Sequence, residues 1–302
     1  MMPLRMQLGE FFRPIRRWAP RGYGFIYKKL LGNFSSYPAD IELKLSLDKR
    51  HRVFYDNFLQ SYVSVDLGDW ACRAHYFMGI YYDRTVPLLI DLLLSEGGTF
   101  IDVGANRGLH TLYASKKLNT SGVVFAFEPH PVTFDVLKAH LTINSINNCS
   151  AFNIGISKEE GSLNLNMFAD QHSGTCSFVN SNNVFESVSV PVKKLDNVLD
   201  IKSLKGPLFV KIDVEGFEYQ VLQGMENLLD RPDISIVCEI TDQWLRQTGA
   251  SAASLFELLR SRGFSAYLPK ITHKNIFKEN LELILLNDIP NEPQFDVVFM
   301  RP

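Results

Sequence analysis

Several features that mark whole classes of protein are scarce or missing in this 302-residue chain. Its four cysteines, Cys72, Cys149, Cys176 and Cys238, form no C-x-x-C pair and have no clustered histidines beside them, which excludes a disulfide framework and a zinc site. Free thiols, a reducing compartment and no bound metal are expected. Long apolar runs are also missing: the longest, Val86–Leu94, is broken by Asp91 and falls short of the roughly 20 residues that cross a bilayer. A soluble, cytoplasmic protein without a transmembrane segment is expected. Nor is there an excess of either charge. With 31 Lys and Arg against 33 Asp and Glu, no overall field draws nucleic acid or another strongly charged partner, so substrate preference resides in a local site. Repeats and low-complexity tracts are absent.

What is present is an ordinary globular composition, 46% hydrophobic and 21% charged, enough for one large domain with an extension. The first 32 residues are basic and aromatic, carrying Arg5, Arg13, Arg16, Arg17, Arg21, Lys28 and Lys29 against Glu10 alone. They lack the continuous apolar stretch of a secretory leader. The composition suits an anionic membrane surface, but Pro14, Pro20, Gly22 and Gly24 break any long amphipathic helix, so a solvated arm or packed lid is expected. Ile41–Leu47 and Tyr62–Leu67 alternate as strands do, and Arg84–Ser95 has helical spacing.

From Thr99 onward, apolar strands alternate with helical patterns, the signature of a doubly wound α/β fold with a mainly parallel sheet. Strands are predicted at Thr99–Val103, Gly122–Phe127, Ala151–Ile156, Leu208–Ile212, Ile234–Ile240, Phe264–Leu268 and Phe295–Met300. Helices are predicted at Leu109–Leu118, Val132–Asn144, Tyr219–Leu229 and Leu255–Arg262, the last ended by Gly263. Leu163–Val192 alternates polar and apolar residues around Gly174 and reads as an inserted β-hairpin. The organisation is therefore an N-terminal extension over 1–80 and a catalytic domain over 81–302.

Three stretches carry chemistry. The first, Asp102-Val-Gly104-Ala-Asn106-Arg-Gly108, runs from an apolar strand through a glycine-punctuated turn into a helix. Gly104 and Gly108 remove the Cβ atoms that would keep a cofactor from the backbone, and the free amides opening the helix suit an anionic group. A tight turn with no ligand explains the same residues. The second is Glu128, followed by Pro129, at the end of the next strand, where a carboxylate can accept both hydrogen bonds of a ribose diol. Its competing reading is an N-cap for the following helix. The third, Lys211-Ile-Asp213-Val-Glu215-Gly-Phe-Glu218, sets two acids at the end of the fourth strand.

These three stretches, in this order, resemble the signature of FkbM-type methyltransferases over about Thr99–Leu268. The resemblance implies a Rossmann-like sheet of seven strands in the order third, second, first, fourth, fifth, seventh, sixth, with the last antiparallel. It implies S-adenosyl-L-methionine as cofactor. Its methionine part would lie on Gly104, Asn106 and Gly108 above Asp102, its ribose on Glu128 beside Pro129, and its adenine beside Gly155 and Ile156. Asn106 stands where many dehydrogenases have glycine, which favours this reading over a nicotinamide-binding domain. The acceptor would be a hydroxyl on a sugar or polyketide-like metabolite.

Methyl transfer to oxygen needs a base for the hydroxyl proton, in line with the sulfonium. Asp213 and Glu215 are the first candidates; as alternating residues of a strand they would face the same way. Asp213 could instead orient the cofactor's ammonium, or cap the helix after Phe217. His172, at the tip of the inserted hairpin, is the next candidate base, although a loop histidine also reads as a solvated surface residue. Glu239, Asp83 and His110 are lesser candidates near the strand ends or the cofactor turn. Two rival readings fit a fold of this class. A nucleotide-sugar oxidoreductase or epimerase using NAD would want a further close glycine and a Tyr-x-x-x-Lys pair, which are missing near the crevice. A non-catalytic cofactor-binding module would have no need of Asp213 and Glu215. A homodimer is compatible with all of these readings.

Overall fold

The computed structural model describes residues 51–67, 69, 72, 75–76, 83–168, 176–179, 184–275 and 278–302. The basic arm, Ile41–Leu47 and His172 lie outside the described residues. The chain divides into two units between Asp83 and Arg84.

In the first unit, β1 (His51–Asp56) and β2 (Ser61–Asp66) form an antiparallel hairpin with His51 opposite Asp66 and Asp56 opposite Ser61. The alternation read from sequence has its cause here: Ser61, Val63 and Val65 are buried while Tyr62 is exposed. Asp56 closes the turn, its Oδ1 accepting the amides of Phe58 at 2.7 Å and Leu59 at 2.8 Å. Its Oδ2 pairs with buried His75 Nε2 at 2.8 Å.

The second unit opens with α1 (Thr85–Leu93) and alternates β3 (Gly98–Val103), α2 (Leu109–Leu118), β4 (Gly122–Phe127), α3 (Pro131–Ile143) and β5 (Cys149–Phe152). An insertion follows, comprising β6 (Gly155–Ile156), β7 (Gly161–Phe168), β8 (Cys176–Ser177) and β9 (Val184–Lys193). Then come α4 (Leu195–Val198), β10 (Leu208–Ile212), α5 (Glu218–Gln223), α6 (Glu226–Leu229), β11 (Ile234–Ile240), α7 (Asp242–Gln247) and α8 (Ala252–Ser261). The chain closes with β12 (Ser265–Asn275), β13 (Lys278–Leu285) and β14 (Phe295–Met300).

The main sheet has the order β13-β12-β14-β11-β10-β3-β4-β5. Pairing is parallel from β11 through β10, β3 and β4 to β5; β14 runs antiparallel to both β11 and β12. Every residue of β3 and β10 is buried, as a strand covered on both faces must be. Alternate residues serve opposite layers. Phe100 and Phe209, with rings 5.4 Å apart, pack with Leu89 and Ile90 of α1 and Ala114 and Leu118 of α2. Ile101 and Val210 face the other way, toward Leu222 of α5 and Phe256 of α8. Each fully buried side chain of this size contributes about 1.5–3 kcal/mol, so the two layers together fix the strand ends that carry the chemistry.

Four expectations need correction. The sheet has eight strands where seven were expected, because β13 pairs antiparallel with β12 at the edge. The predicted strand Ala151–Ile156 is split: β5 ends at Phe152 and residues 155–156 join a different sheet. The expected hairpin is a four-stranded sheet of order β6-β9-β7-β8, in which β7 and β9 form the antiparallel pair. The helix predicted over Tyr219–Leu229 is likewise two short helices, broken at Gly224, whose carbonyl accepts from the amide of Asp196.

Candidate active site

Strand β3 lies between β4 and β10, so the connections diverge at its C-terminal end and open the crevice where parallel sheets bind ligands. Gly104 leaves the strand with φ 77°, and a Cβ there would stand 1.9 Å from the carbonyl oxygen of Asp213. Only bare backbone fits where these two turns meet. Asn106 takes φ 50°, and Gly108, at φ 77°, becomes the N-cap of α2, where a Cβ would stand 2.1 Å from Leu137 Cδ1. Gly108 brings no capping side chain to the start of α2, whose N-terminal end carries partial positive charge. Beneath the turn, Asp102 is fully buried and its Oδ2 accepts from Thr111 Oγ1 at 2.6 Å, tying strand to helix.

Glu128 follows β4. Its carboxylate spans two turns: Oε2 accepts the amide of Asn106 at 2.8 Å and Oε1 that of His130 at 2.9 Å. Burial pushes its pKa up to about 7, against the pull of those two amides and of Lys211. Glu128 does not cap α3. That place is taken by His130, whose Nδ1 accepts the amide of Thr133 at 3.3 Å. Asn153 completes the arrangement by donating from Nδ2 to the carbonyls of Glu128 at 2.8 Å and Pro129 at 2.9 Å. Those bonds also turn the chain out of the main sheet after β5.

Across the crevice, β10 stops at Ile212, so Asp213 and Glu215 lie in a turn and the same-face argument for strand residues does not govern them. Glu215 takes φ 54°, a left-handed conformation that costs a non-glycine residue about 1–3 kcal/mol and is concentrated at functional turns. Asp213 caps no helix; Glu218 instead folds the turn, its buried Oε1 accepting the amide of Gly216 at 3.0 Å and of Val214 at 3.4 Å. The nearest oxygens of Asp213, Glu215 and Glu239 lie within 4.8 Å of one another, a spacing a divalent cation could bridge. Burial, together with Asp213 and Glu239, pushes Glu215 up to about 9; burial, Asp213 and Asp296 push Glu239 up to about 8. Both are carboxylic acids at neutral pH. Lys211 supplies the balancing cation: its buried Nζ stands 3.2 Å from Asp213 Oδ2 and 3.4 Å from Asp102 Oδ1, and donates to the Gly104 carbonyl at 3.0 Å.

The structure thus brings Asp102, Gly104, Asn106, Gly108, Glu128, Pro129, Asp213 and Glu215 to one end of the sheet. Gly155 and Ile156 are buried at the start of the second sheet, where a Cβ on Gly155 would stand 2.8 Å from the Phe178 ring. That sheet touches the acid turn directly, since Ser177 Oγ donates to the carbonyl of Glu215 and the rings of Phe178 and Phe217 meet at 4.9 Å. Asp83 belongs to the first unit. Sequence reasoning assigned no role to Lys211, Asn153, Glu218 or Ser177. For Lys211 a signal existed: a lysine inside the apolar strand Leu-Phe-Val-Lys-Ile requires buried counter-charges.

A parallel sheet with an antiparallel strand inserted beside its edge, glycine turn and acids gathered at its switch point, is the build of a methyltransferase. Residues 102–266 match the methyltransferase FkbM domain, and the chain belongs to that family. Among its relatives, methyltransferase 1 of Beauveria bassiana is 28% identical over 187 residues, 55% of this chain and 71% of that protein. The hexuronic acid methyltransferase AglP of Haloferax volcanii is 34% identical over 157 residues, 49% of this chain and 60% of that protein. The 31-O-demethyl-FK506 methyltransferase FkbM of Streptomyces tacrolimicus is 27% identical over 206 residues, 57% of this chain and 74% of that protein. Among the described residues no helix is long and apolar enough to cross a membrane.

Proposed function

We propose that the chain uses S-adenosyl-L-methionine to methylate a hydroxyl on a sugar or polyketide-like metabolite. The observation that carries this reading is the meeting of the Gly104–Gly108 turn, Glu128 and Asp213 at the switch point of the sheet. The donor set fits the cofactor chemically. Glu128 has lone pairs left for a ribose diol after accepting two amides, and the positive N-terminal end of α2, which no side chain caps, suits the methionine carboxylate. A rim of carboxyl oxygens from Glu128, Asp213, Glu215 and Glu239, with no arginine beside them among the described residues, offers acceptors to a sulfonium and no cationic cradle for the pyrophosphate of NAD. Gly155 and Ile156 would border the adenine.

When bound, the cofactor supplies an electrophilic methyl group. Gly104, Asn106 and Gly108 would hold its methionine end with Asp102 bracing the turn, and Glu128 with Pro129 would fix the ribose. Asp213, 3.2 Å from Lys211 Nζ and about one-third exposed, takes the proton from the acceptor hydroxyl. Glu215 and Glu239, protonated at neutral pH, offer hydrogen bonds to the acceptor instead of competing for its proton. The acceptor class follows the chemistry named for the relatives AglP and FkbM. Calorimetric titration tests the reading: S-adenosylhomocysteine should bind and NAD should not, and the reverse order would replace it with the oxidoreductase.

A further inference from the structure

We propose that Lys211 is a positioning residue of the methyl transfer, gripping the cofactor turn through the Gly104 carbonyl and the base through the Asp213 carboxylate with one ammonium group. The inference rests on the cofactor assignment above. Lys211 sits in β10 directly opposite Asp102 of β3, so its register alone delivers the side chain to the gap between the two strand ends. There its head meets three oxygens from three positions: Gly104 O at 3.0 Å, Asp213 Oδ2 at 3.2 Å and Asp102 Oδ1 at 3.4 Å.

These partners are not equivalent. Asp102 is fully buried and held by Thr111, so it serves as the fixed anchor of the ammonium. Gly104 O belongs to the turn that receives the cofactor, and Asp213 is one-third exposed at the mouth of the crevice. One cation therefore sets the distance between the cofactor turn and the base. The same turns already touch through the amide of Asp213, which donates to Val103 O at 3.1 Å. A lysine needed only to neutralise Asp102 would have no reason to reach past it to a carbonyl and a second carboxylate. Arginine could span the same acceptors; an apolar side chain would leave two carboxylates uncompensated and the Gly104 carbonyl free to rotate.

The test uses the full chain and S-adenosylhomocysteine, with thermal unfolding followed in parallel. Lys211→Met should weaken binding by about tenfold or more, as expected for losing a hydrogen bond from a charged group, and Lys211→Arg should recover most of the loss. A structural lysine would lower the unfolding temperature of Lys211→Met and leave the affinity of the folded protein unchanged. That result overturns the proposal, as does a Lys211→Arg protein that binds as weakly as Lys211→Met. Should Lys211→Met fail to fold, the ammonium signal of Lys211 in the wild-type protein, identified by its loss in Lys211→Arg, must shift on addition of S-adenosylhomocysteine; an unmoved signal overturns the proposal equally. If the wild-type protein does not bind S-adenosylhomocysteine at all, the cofactor assignment is what fails, and the role of Lys211 falls with it.

Discussion

The two sides of the crevice hold acids in opposite ways. On the side of β3 and β4, Asp102 and Glu128 are each held by specific donors: a threonine hydroxyl for one and two backbone amides for the other. On the side of β10 and β11, Asp213, Glu215 and Glu239 crowd one another, and burial, with neighbouring carboxylates, drives Glu215 and Glu239 to hold protons at neutral pH. The first arrangement builds a rigid receptor whose shape is complete before a ligand arrives. The second stores unfavourable charge that a ligand or a proton must relieve. In the proposed reaction the first side would receive the cofactor and the second the acceptor.

Substitutions can break the comparison or sharpen it. The largest effect is expected on the crowded side. Asp213→Asn keeps an oxygen for Lys211 but cannot take a proton, so turnover should fall by about 10²–10⁴-fold while affinity for S-adenosylhomocysteine stays close to wild type. A matching loss of affinity would make Asp213 a cofactor ligand and erase the distinction between the sides. Next comes the rigid side: Glu128→Ala should weaken S-adenosylhomocysteine binding by about 1.5–3 kcal/mol, measured by calorimetry on the folded variant. Unchanged affinity would remove Glu128 from the ribose.

The smallest effect is on stability and follows from protonation. Glu215 titrates at about 9 in the fold against an ordinary 4.5, so the folded protein holds a proton that the unfolded chain releases. That contribution to stability is full below pH 4.5 and is lost as pH rises through about 9, with Glu239 adding a loss through about 8. The unfolding temperature of the unliganded protein should therefore decline from mildly acid to alkaline pH. Glu215→Gln, neutral throughout, should reduce that decline by an amount on the order of a few degrees. Equal slopes for the two proteins would show that Glu215 is ionised in the fold and that the crowding is relieved some other way.

Much of this architecture was legible before the structure. The bounds of α2, β4, β10, β11 and β14 match their apolar patterns; Gly108 precedes α2, Glu128 follows β4, Pro207 and Asp213 bracket β10, and Asp233 precedes β11. The edge strand β13 escaped notice since charged Glu279 and Glu282 interrupt its apolar residues, and Glu279 is spoken for by Arg84 at 2.7 Å, a contact 195 positions away along the chain. The run Ala-Phe-Asn-Ile-Gly-Ile reads as one strand, yet Asn153 spends its side chain on the carbonyls of Glu128 and Pro129 and diverts the chain into the second sheet. In the site, acids that end buried strands announce themselves. Their protonation does not, because Glu215 owes its raised pKa first to burial, and then to Asp213 and to Glu239 on another strand.

The contact between Gly104 and Asp213 has a consequence for how this site can vary. A side chain at 104 would land 1.9 Å from the carbonyl oxygen of Asp213, so every missense change in that codon disturbs the cofactor turn and the base together. In a library of random variants, position 104 should tolerate nothing even where the chosen selection reports only on the acceptor. Substitutions that change acceptor preference without touching position 104 are expected in the second sheet, which meets the same acid turn through the hydroxyl of Ser177 and the ring of Phe178.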